Sequence, residues 1–188
     1  LDLDGGACGN NGTQWYSEHM EGMNEASTGT GVGPDLEEEQ RGRVRGLVAE
    51  LRSGQFRQAR GYLARNGGFC CLGVACEVAM AVGFPMIKQQ GFRGSSFYAP
   101  QIVINGVPAE GSARILPKVV ANWFGLPNCN PMLDIPEQVA SRYRLFVSRA
   151  QASTLNDDAQ MTLPDIGECF QYTFLREDWE AEHAETAG

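Results

Sequence analysis

Hydrophobic residues recur at helical spacing soon after Pro34. Four aliphatic residues occupy positions i, i+3, i+4 and i+7 of one stretch, namely Val44, Leu47, Val48 and Leu51. This spacing places them on one face of an amphipathic helix. Asp35 precedes Glu38 at the distance of a capping box, and Gly54 follows the last apolar position. We therefore predict a helix over residues 35–52.

Four further segments have a helical pattern: 71–82, 117–125, 134–150 and 163–182. The first is a run of small and aliphatic residues that Gly83 ends, because glycine readily adopts the left-handed conformation at a helix C-terminus. Pro117 and Gly125 delimit the second segment. Thr162 and Asp165 are the predicted capping residues of the last helix.

One stretch has the pattern of a β-hairpin. In SSFYAPQIVINGVPAEG (95–111), Asn105 and Gly106 lie between β-branched residues, which is a strong signal for a two-residue hairpin turn. Residues 56–64 are expected to be extended, and RNGG (65–68) to form a turn. Together these elements predict an α+β fold, a single compact and mostly helical domain with one β-hairpin, flanked by acidic tails.

The ends of the chain differ in composition from its middle. Residues 1–34 are rich in glycine and small polar residues, which predicts a Gly-rich acidic N-terminal tail or arm, with a short docking helix around 14–24. The domain is predicted over 35–182 and a C-terminal tail over 183–188. The net charge is −8, yet residues 1–39 carry nine acidic and no basic residues. Residues 153–188 carry nine more acidic residues against Arg176 alone, so the middle of the chain, 40–152, is basic, with 14 basic and five acidic residues.

The bulk composition excludes several classes of protein. A chain of 188 residues with 43% hydrophobic content can bury a core. No stretch approaches the ~18 apolar residues of a membrane-spanning helix, and the first residues lack the basic and apolar regions of a signal peptide. Six cysteines are too few for a secreted disulfide scaffold of this length. We expect reduced thiols in a cytosolic protein without membrane association.

The stretch GGFCCLGVACEVAMAVG (67–83) places Cys70 and Cys71 at the start of a predicted helix. Backbone N–H groups favour a thiolate there, so either cysteine is a candidate catalytic nucleophile. A thiol hydrolase also needs a histidine base, and the chain has only His19 and His183, both in the predicted tails. No CxxC or HxxxH pair anchors a metal site. We predict that the cysteines are buried packing residues and that the protein uses no metal or cofactor.

Arginines are concentrated between residues 41 and 65, where Glu50 is the one acidic residue. Six of them, together with Tyr62, are the predicted binding residues: Arg41, Arg45, Arg52, Arg57, Arg60 and Arg65. Guanidinium groups bind phosphate in a bidentate manner, and Tyr62 can stack on a base. The alternative is a solvated helix face that the acidic tails neutralise. If the face binds an anion, the tails are expected to compete with it.

A polar stretch, TLNDDAQMT (154–162), precedes the last predicted helix. Asn156, Asp157 and Asp158 are predicted to form a turn and to bind backbone amides, as such residues usually do. The alternative is a site for a cation or a polar substrate group. The spacing does not match a calcium-binding loop.

The ordered set LRSGQFRQARGYL, GGFCCLGVACEVA, LPKVVANWFGL and TLNDDAQMTLPDIGE resembles a family of small tailed-phage and prophage proteins. The resemblance spans about residues 45–175, and Ala159 departs from the glycine that usually follows LND. It implies a phage context and an order of elements. It implies no catalytic residues.

These observations leave three hypotheses of function. The first is a non-enzymatic phage accessory protein in the host cytoplasm, which binds a host or phage protein, a nucleic acid or a nucleotide through its Arg-rich face. The second is a virion structural or decoration component, or another homo-oligomer, whose N-terminal arm packs on neighbouring subunits. The third is a cysteine-dependent enzyme that uses Cys70 or Cys71.

Overall fold

The first predicted helix is present in the computed structural model, which describes residues 36–186. We name it α1, Glu38–Arg52, and its four aliphatic side chains are buried as predicted. Its N-cap is Glu37, whose backbone N–H donates to Gln40 Oε1 at 3.1 Å. The predicted capping residue, Asp35, lies outside the described residues, as do the predicted N-terminal arm and docking helix.

Six more helices follow in the described part of the chain: α2 Cys71–Ala81, α3 Lys118–Phe124, α4 Glu137–Tyr143, α5 Ala152–Asp157, α6 Leu163–Phe174 and α7 Arg176–Thr186. Gly83 and Gly125 have φ values of 86° and 75°, which confirms the predicted left-handed ends. Thr162 Oγ1 accepts a hydrogen bond from the Asp165 N–H, as the capping pattern predicts.

Two of the predicted helices have the wrong extent. The helix predicted over 134–150 is present only as α4, because Arg144 adopts a left-handed conformation that ends it and residues 149–151 form a strand. The helix predicted over 163–182 is divided at Leu175 into α6 and α7. Helix α7 continues through residue 186, beyond the predicted start of the C-terminal tail.

Strands are more numerous than predicted. The main sheet is antiparallel in the order β2-β1-β4-β3. Its strands are β1 Ala64–Arg65, β2 Gly68–Phe69, β3 Met86–Gln90 and β4 Ser95–Pro100. Two further antiparallel pairs are β5 Val103–Ile104 with β6 Val107–Pro108 and β7 Met132–Asp134 with β8 Arg149–Gln151.

The prediction of a mostly helical domain with one hairpin is therefore wrong. The described residues form a mixed α+β fold of seven helices and eight strands in three small sheets. The hairpin predicted at Asn105 and Gly106 is present as β5–β6. The other strands escaped the sequence pattern because most are only two or three residues long, too short to show alternation.

Helix α2 lies at the centre of the core. Residues 71–76 are all buried, and Gly73 is the point of closest approach to a neighbouring segment. A Cβ atom at Gly73 would lie 1.7 Å from the Leu63 carbonyl oxygen. That carbonyl accepts a hydrogen bond from the Cys70 N–H at 3.0 Å. The residue before β1 is thus held directly against the first turn of α2. Among residues 36–186, no helix is both long and apolar enough to cross a membrane.

Candidate functional site

The predicted arginine face is divided in the structure into two groups. The first group is the arginine row of α1, which we define as Arg41, Arg45 and Arg52. At about 100° per residue these side chains emerge within an arc of about 40°. Helix α1 ends at Arg52, and the chain turns at Gly54, which has a φ of 72°. The later arginines, Arg57, Arg60 and Arg65, lie on the irregular segment and strand that follow.

Each member of the arginine row forms an ion pair with a carboxylate of α7. Arg41 lies 3.5 Å from Glu177, Arg45 lies 2.7 Å from Asp178 and Arg52 lies 3.2 Å from Glu182, measured between nitrogen and oxygen atoms. The acidic C-terminal helix therefore covers these arginines. This arrangement matches the alternative in which acidic segments neutralise the helix face.

The contact between α7 and the rest of the domain is polar. The hydrogen bond from Arg45 lowers the pKa of Asp178, and hydrogen bonds from Gln171 and then Arg52 lower the pKa of Glu182. Exposed ion pairs typically contribute only about 0.2–1 kcal/mol each. None of the side chains described in residues 176–184 is buried as a whole. Such a helix is weakly attached.

Two donors at this contact find no acceptor in the described part of the chain. They are Arg176 Nε and Trp179 Nε1, both shielded from solvent. Shielding an unsatisfied polar group costs about 1–3 kcal/mol. Trp179 gains in return from ring contacts with Tyr172 at 4.7 Å and His183 at 4.0 Å between centroids.

The second group of arginines surrounds Tyr62. The guanidinium carbons of Arg65 and Arg114 each lie 5.2 Å from the centre of the Tyr62 ring. Arg114 is brought there because the Leu63 N–H donates to the Ala113 carbonyl at 2.7 Å. Arg114 lies outside the arginine run of the sequence, and no local pattern connects it to Tyr62.

Arg60 precedes Tyr62 by two residues, and its Nε donates to the Asn156 carbonyl at 3.2 Å. We call Arg60, Tyr62, Arg65 and Arg114 the Tyr62 surface. Arg60 and Arg114 are exposed, and the other two residues are half-buried. Among the described residues, none of the ion pairs involves these three arginines. The structure thus brings the guanidinium groups of Arg65 and Arg114 to the Tyr62 ring, and neither they nor Arg60 form an ion pair with a described residue.

Arg57 and Phe56 take structural positions beside this surface. The Arg57 side chain donates to the carbonyl of Asn66 in the turn between β1 and β2. The Phe56 ring packs edge-on against Phe69, with centroids 5.3 Å apart. The Phe56 ring is therefore engaged in packing within the domain.

The predicted polar turn holds the segment that carries Arg60 and Tyr62. Asn156 is fully buried. It belongs to helix α5 and not to a turn, so the prediction of a turn at this residue is wrong. Its Oδ1 accepts from Gln58 Nε2 at 2.9 Å, and its Nδ2 donates to the Ala59 carbonyl at 2.9 Å. Asp157 Oδ1 accepts from the Gly61 N–H at 3.1 Å. Asp157 thus binds a backbone amide, as predicted, but on a segment almost a hundred residues earlier. Asn156 instead bonds to a backbone carbonyl and a side-chain amide of that segment.

Asp158 is exposed and follows α5 as its C-cap. In the part of the chain that the structure describes, no three His, Cys, Asp or Glu side chains are grouped closely enough to hold a metal ion. The side-chain amide of Asn156 and the Oδ1 atom of Asp157 are engaged in hydrogen bonds within the chain itself. The polar stretch is therefore a clasp for residues 58–61.

The cysteines at the start of α2 are buried, as predicted. Cys70 is 4% exposed and Cys71 is 0% exposed. The Cys71 thiol, followed by the N–H groups of Gly73 and Leu72, lowers the pKa of Cys70 despite burial. The contact with Cys70 and complete burial raise the pKa of Cys71. The ring of His183 packs on Trp179 and lies 3.6 Å from a Glu168 oxygen, while the structure does not describe His19.

We expect both thiols to be protected from alkylation in the folded protein. Reagent access requires an opening of the fold, and an opening free energy of about 3 kcal/mol slows the reaction about a hundredfold. Iodoacetamide labelling with peptide mass mapping, in buffer and in urea, measures Cys70 and Cys71 separately. Fast labelling of either residue in buffer would contradict a packing role.

Taken together, these features define a small α+β domain with an exposed surface that is both basic and aromatic. Residues 42–173 match the domain of unknown function DUF8296, and the chain belongs to this family. The matched region ends within α6, so α7 lies outside it. No curated protein and no solved structure has significant similarity to the chain.

Proposed function

We propose that this protein is a non-enzymatic binding protein that recognises single-stranded nucleic acid through the Tyr62 surface. The observation that carries the proposal is the difference between the two arginine groups. The arginine row of α1 is paired with carboxylates, whereas Arg65 and Arg114 lie against the Tyr62 ring and, like Arg60, form no ion pair among the described residues.

The chemistry of the surface suits a strand with unpaired bases. Guanidinium groups donate in a planar fork that matches phosphate oxygens. A tyrosine ring or a guanidinium plane offers a face on which a base stacks without sequence preference. The rigid support of the segment by Asn156 and Asp157 keeps these groups in place before binding, which lowers the entropy cost of association.

The order of the phage-type motifs supports a proposal about where this activity takes place. We propose that the protein acts as a phage accessory protein in the cytoplasm of an infected cell. The buried state of Cys70 and Cys71 favours this role over that of a cysteine-dependent enzyme.

The double variant Arg65→Gln/Arg114→Gln tests the proposal. We expect it to bind a short fluorescein-labelled oligothymidylate at least about tenfold more weakly at low salt, because two phosphate contacts are lost. Each lost contact is also expected to lower the slope of log affinity against log salt by about 0.7. Tyr62→Leu is expected to lose affinity through stacking, worth about 1–3 kcal/mol per base. Fluorescence anisotropy measures both effects.

The matched control is Arg144→Gln/Arg149→Gln. These two arginines are exposed. Arg149 pairs with Asp134 on the neighbouring strand, and none of the described hydrogen bonds, ion pairs or strand pairings joins either arginine to the Tyr62 surface. The control removes the same charge and is expected to keep most of the affinity. Equal losses in the two double variants would show that the binding is non-specific attraction by net charge.

A further inference from the structure

Helix α7 occupies the arginine row of α1 in the way that a bound acidic ligand would. The two helices run in the same direction, since Glu177, Asp178 and Glu182 meet arginines of increasing number. At 1.5 Å per residue the row from Arg41 to Arg52 is about 16 Å long. Its guanidinium groups are therefore aligned on one side of a rigid helix, and their partners are negatively charged oxygen atoms.

The attachment of α7 depends on charge more than on apolar packing. The sequence of the helix is REDWEAEHAET, and its one large apolar residue, Trp179, is only half-buried. Helix α7 has 11 residues, and isolated helices of this length are marginal in water. Once the ion pairs with α1 are lost, the contacts that remain join α7 to α6: Trp179 and Arg176 lie against the Tyr172 ring, and His183 lies beside Glu168.

We infer that the arginine row of α1 is a second contact surface for single-stranded nucleic acid, and that α7 covers it until a strand displaces the helix. The inference rests on the proposed function, because it concerns the regulation of the same binding activity. Carboxylates of α7 stand where phosphates of the strand would bind. The family match includes Arg45 and Arg52 and ends before α7, so the covering helix lies outside the matched domain.

Neutralising the three carboxylates without shortening the chain tests this inference. The variant Glu177→Gln/Asp178→Asn/Glu182→Gln keeps the size of each side chain and removes its attraction to arginine. We expect it to bind the oligothymidylate about tenfold more tightly than the wild type at low salt. The slope of log affinity against log salt is expected to steepen by about 2, which corresponds to three further phosphate contacts.

The matched control is Glu110→Gln/Glu137→Gln/Glu180→Gln. These three carboxylates are exposed, and among residues 36–186 they take part in no ion pair. The control changes the net charge by the same amount and is expected to leave the affinity within about twofold of the wild type. Adding Arg41→Gln/Arg45→Gln/Arg52→Gln to the neutralised α7 variant is expected to abolish its gain.

A second measurement follows α7 itself. In the wild-type protein we expect the oligothymidylate to increase hydrogen–deuterium exchange over residues 176–186, because the displaced helix loses its backbone hydrogen bonds. Unchanged exchange in the oligonucleotide-bound protein would overturn the displacement of α7.

The remaining outcomes separate this inference from the proposed function. If the Tyr62 surface variants lose affinity but the neutralised α7 variant binds like its control, the inference fails and the proposed function stands. If neither the wild type nor the neutralised α7 variant binds the oligothymidylate, both fail. If a polyglutamate peptide competes as well as the oligothymidylate, the row accepts an acidic protein, and its assignment to nucleic acid is overturned.

Discussion

Replacing Gly73 with alanine is expected to lower the free energy of unfolding by about 4 kcal/mol or more. The new Cβ atom would lie 1.7 Å from the Leu63 carbonyl oxygen and 2.6 Å from its carbonyl carbon. The Leu63 backbone cannot move away easily, because its carbonyl accepts a hydrogen bond from the Cys70 N–H at 3.0 Å and its N–H donates to the Ala113 carbonyl at 2.7 Å. Relief of the clash would therefore disrupt both α2 and the segment before β1.

Gly42→Ala is the matched control for this prediction. Gly42 also lies within a helix, but it is exposed and a Cβ atom there would have no neighbour within 4 Å. Alanine favours the helix, so this variant is expected to gain about 0.5–1 kcal/mol. Urea unfolding followed by circular dichroism measures both variants. A Gly73→Ala protein as stable as the wild type would show that α2 and Leu63 are not in the contact described.

The second large effect is expected at Asn156. Asn156→Asp should lower the free energy of unfolding by about 3 kcal/mol at neutral pH. The amide Nδ2 donates to the Ala59 carbonyl at 2.9 Å and to Asp157 Oδ1 at 2.6 Å. In the variant a carboxylate oxygen would face these two acceptors in a fully buried position.

The sign of the pH dependence distinguishes this effect from a simple loss of packing. A carboxyl group in such surroundings has a pKa above its value in the unfolded chain. The destabilisation is therefore complete above the folded-state pKa and becomes smaller as the pH falls through it, because the protonated group can again donate. Asn122→Asp, on the exposed side of α3, is the control and is expected to change stability little. A loss at Asn156 that does not vary with pH would contradict the role of its donor.

The helices could be predicted from the sequence where local signals were sufficient. The apolar face of α1 and the glycines that end α2 and α3 depend on neighbouring residues, and each is present. The helix predicted over 134–150 illustrates the limit of such signals. Residues 149–151 pair with β7, some seventeen positions earlier, and this pairing overrides the local helical pattern.

The candidate site shows the same division between local and distant information. Tyr62 and Arg65 could be identified from a basic and aromatic stretch. Arg114 joins them because the neighbouring residues Leu63 and Ala113 form a backbone hydrogen bond, which no sequence spacing reveals. The sequence marks the end of α1 at Gly54, but it does not show the direction in which the chain continues, and so it does not separate the two groups of arginines. The segregation of charge did indicate that acidic segments neutralise part of the arginines, and α7 is one such segment.

The clasp formed by Asn156 has a consequence for how the protein is synthesised. Gln58 hydrogen-bonds to Asn156 and to the Met161 carbonyl, and both partners are translated about a hundred residues later. Contacts this distant in sequence form late and slow the folding of a domain. A ribosome-bound chain that has not yet released residue 161 therefore lacks the bonds that fix Arg60 and Tyr62. The segment that carries Arg60 and Tyr62 is therefore fixed only after residues 156–161 have been synthesised.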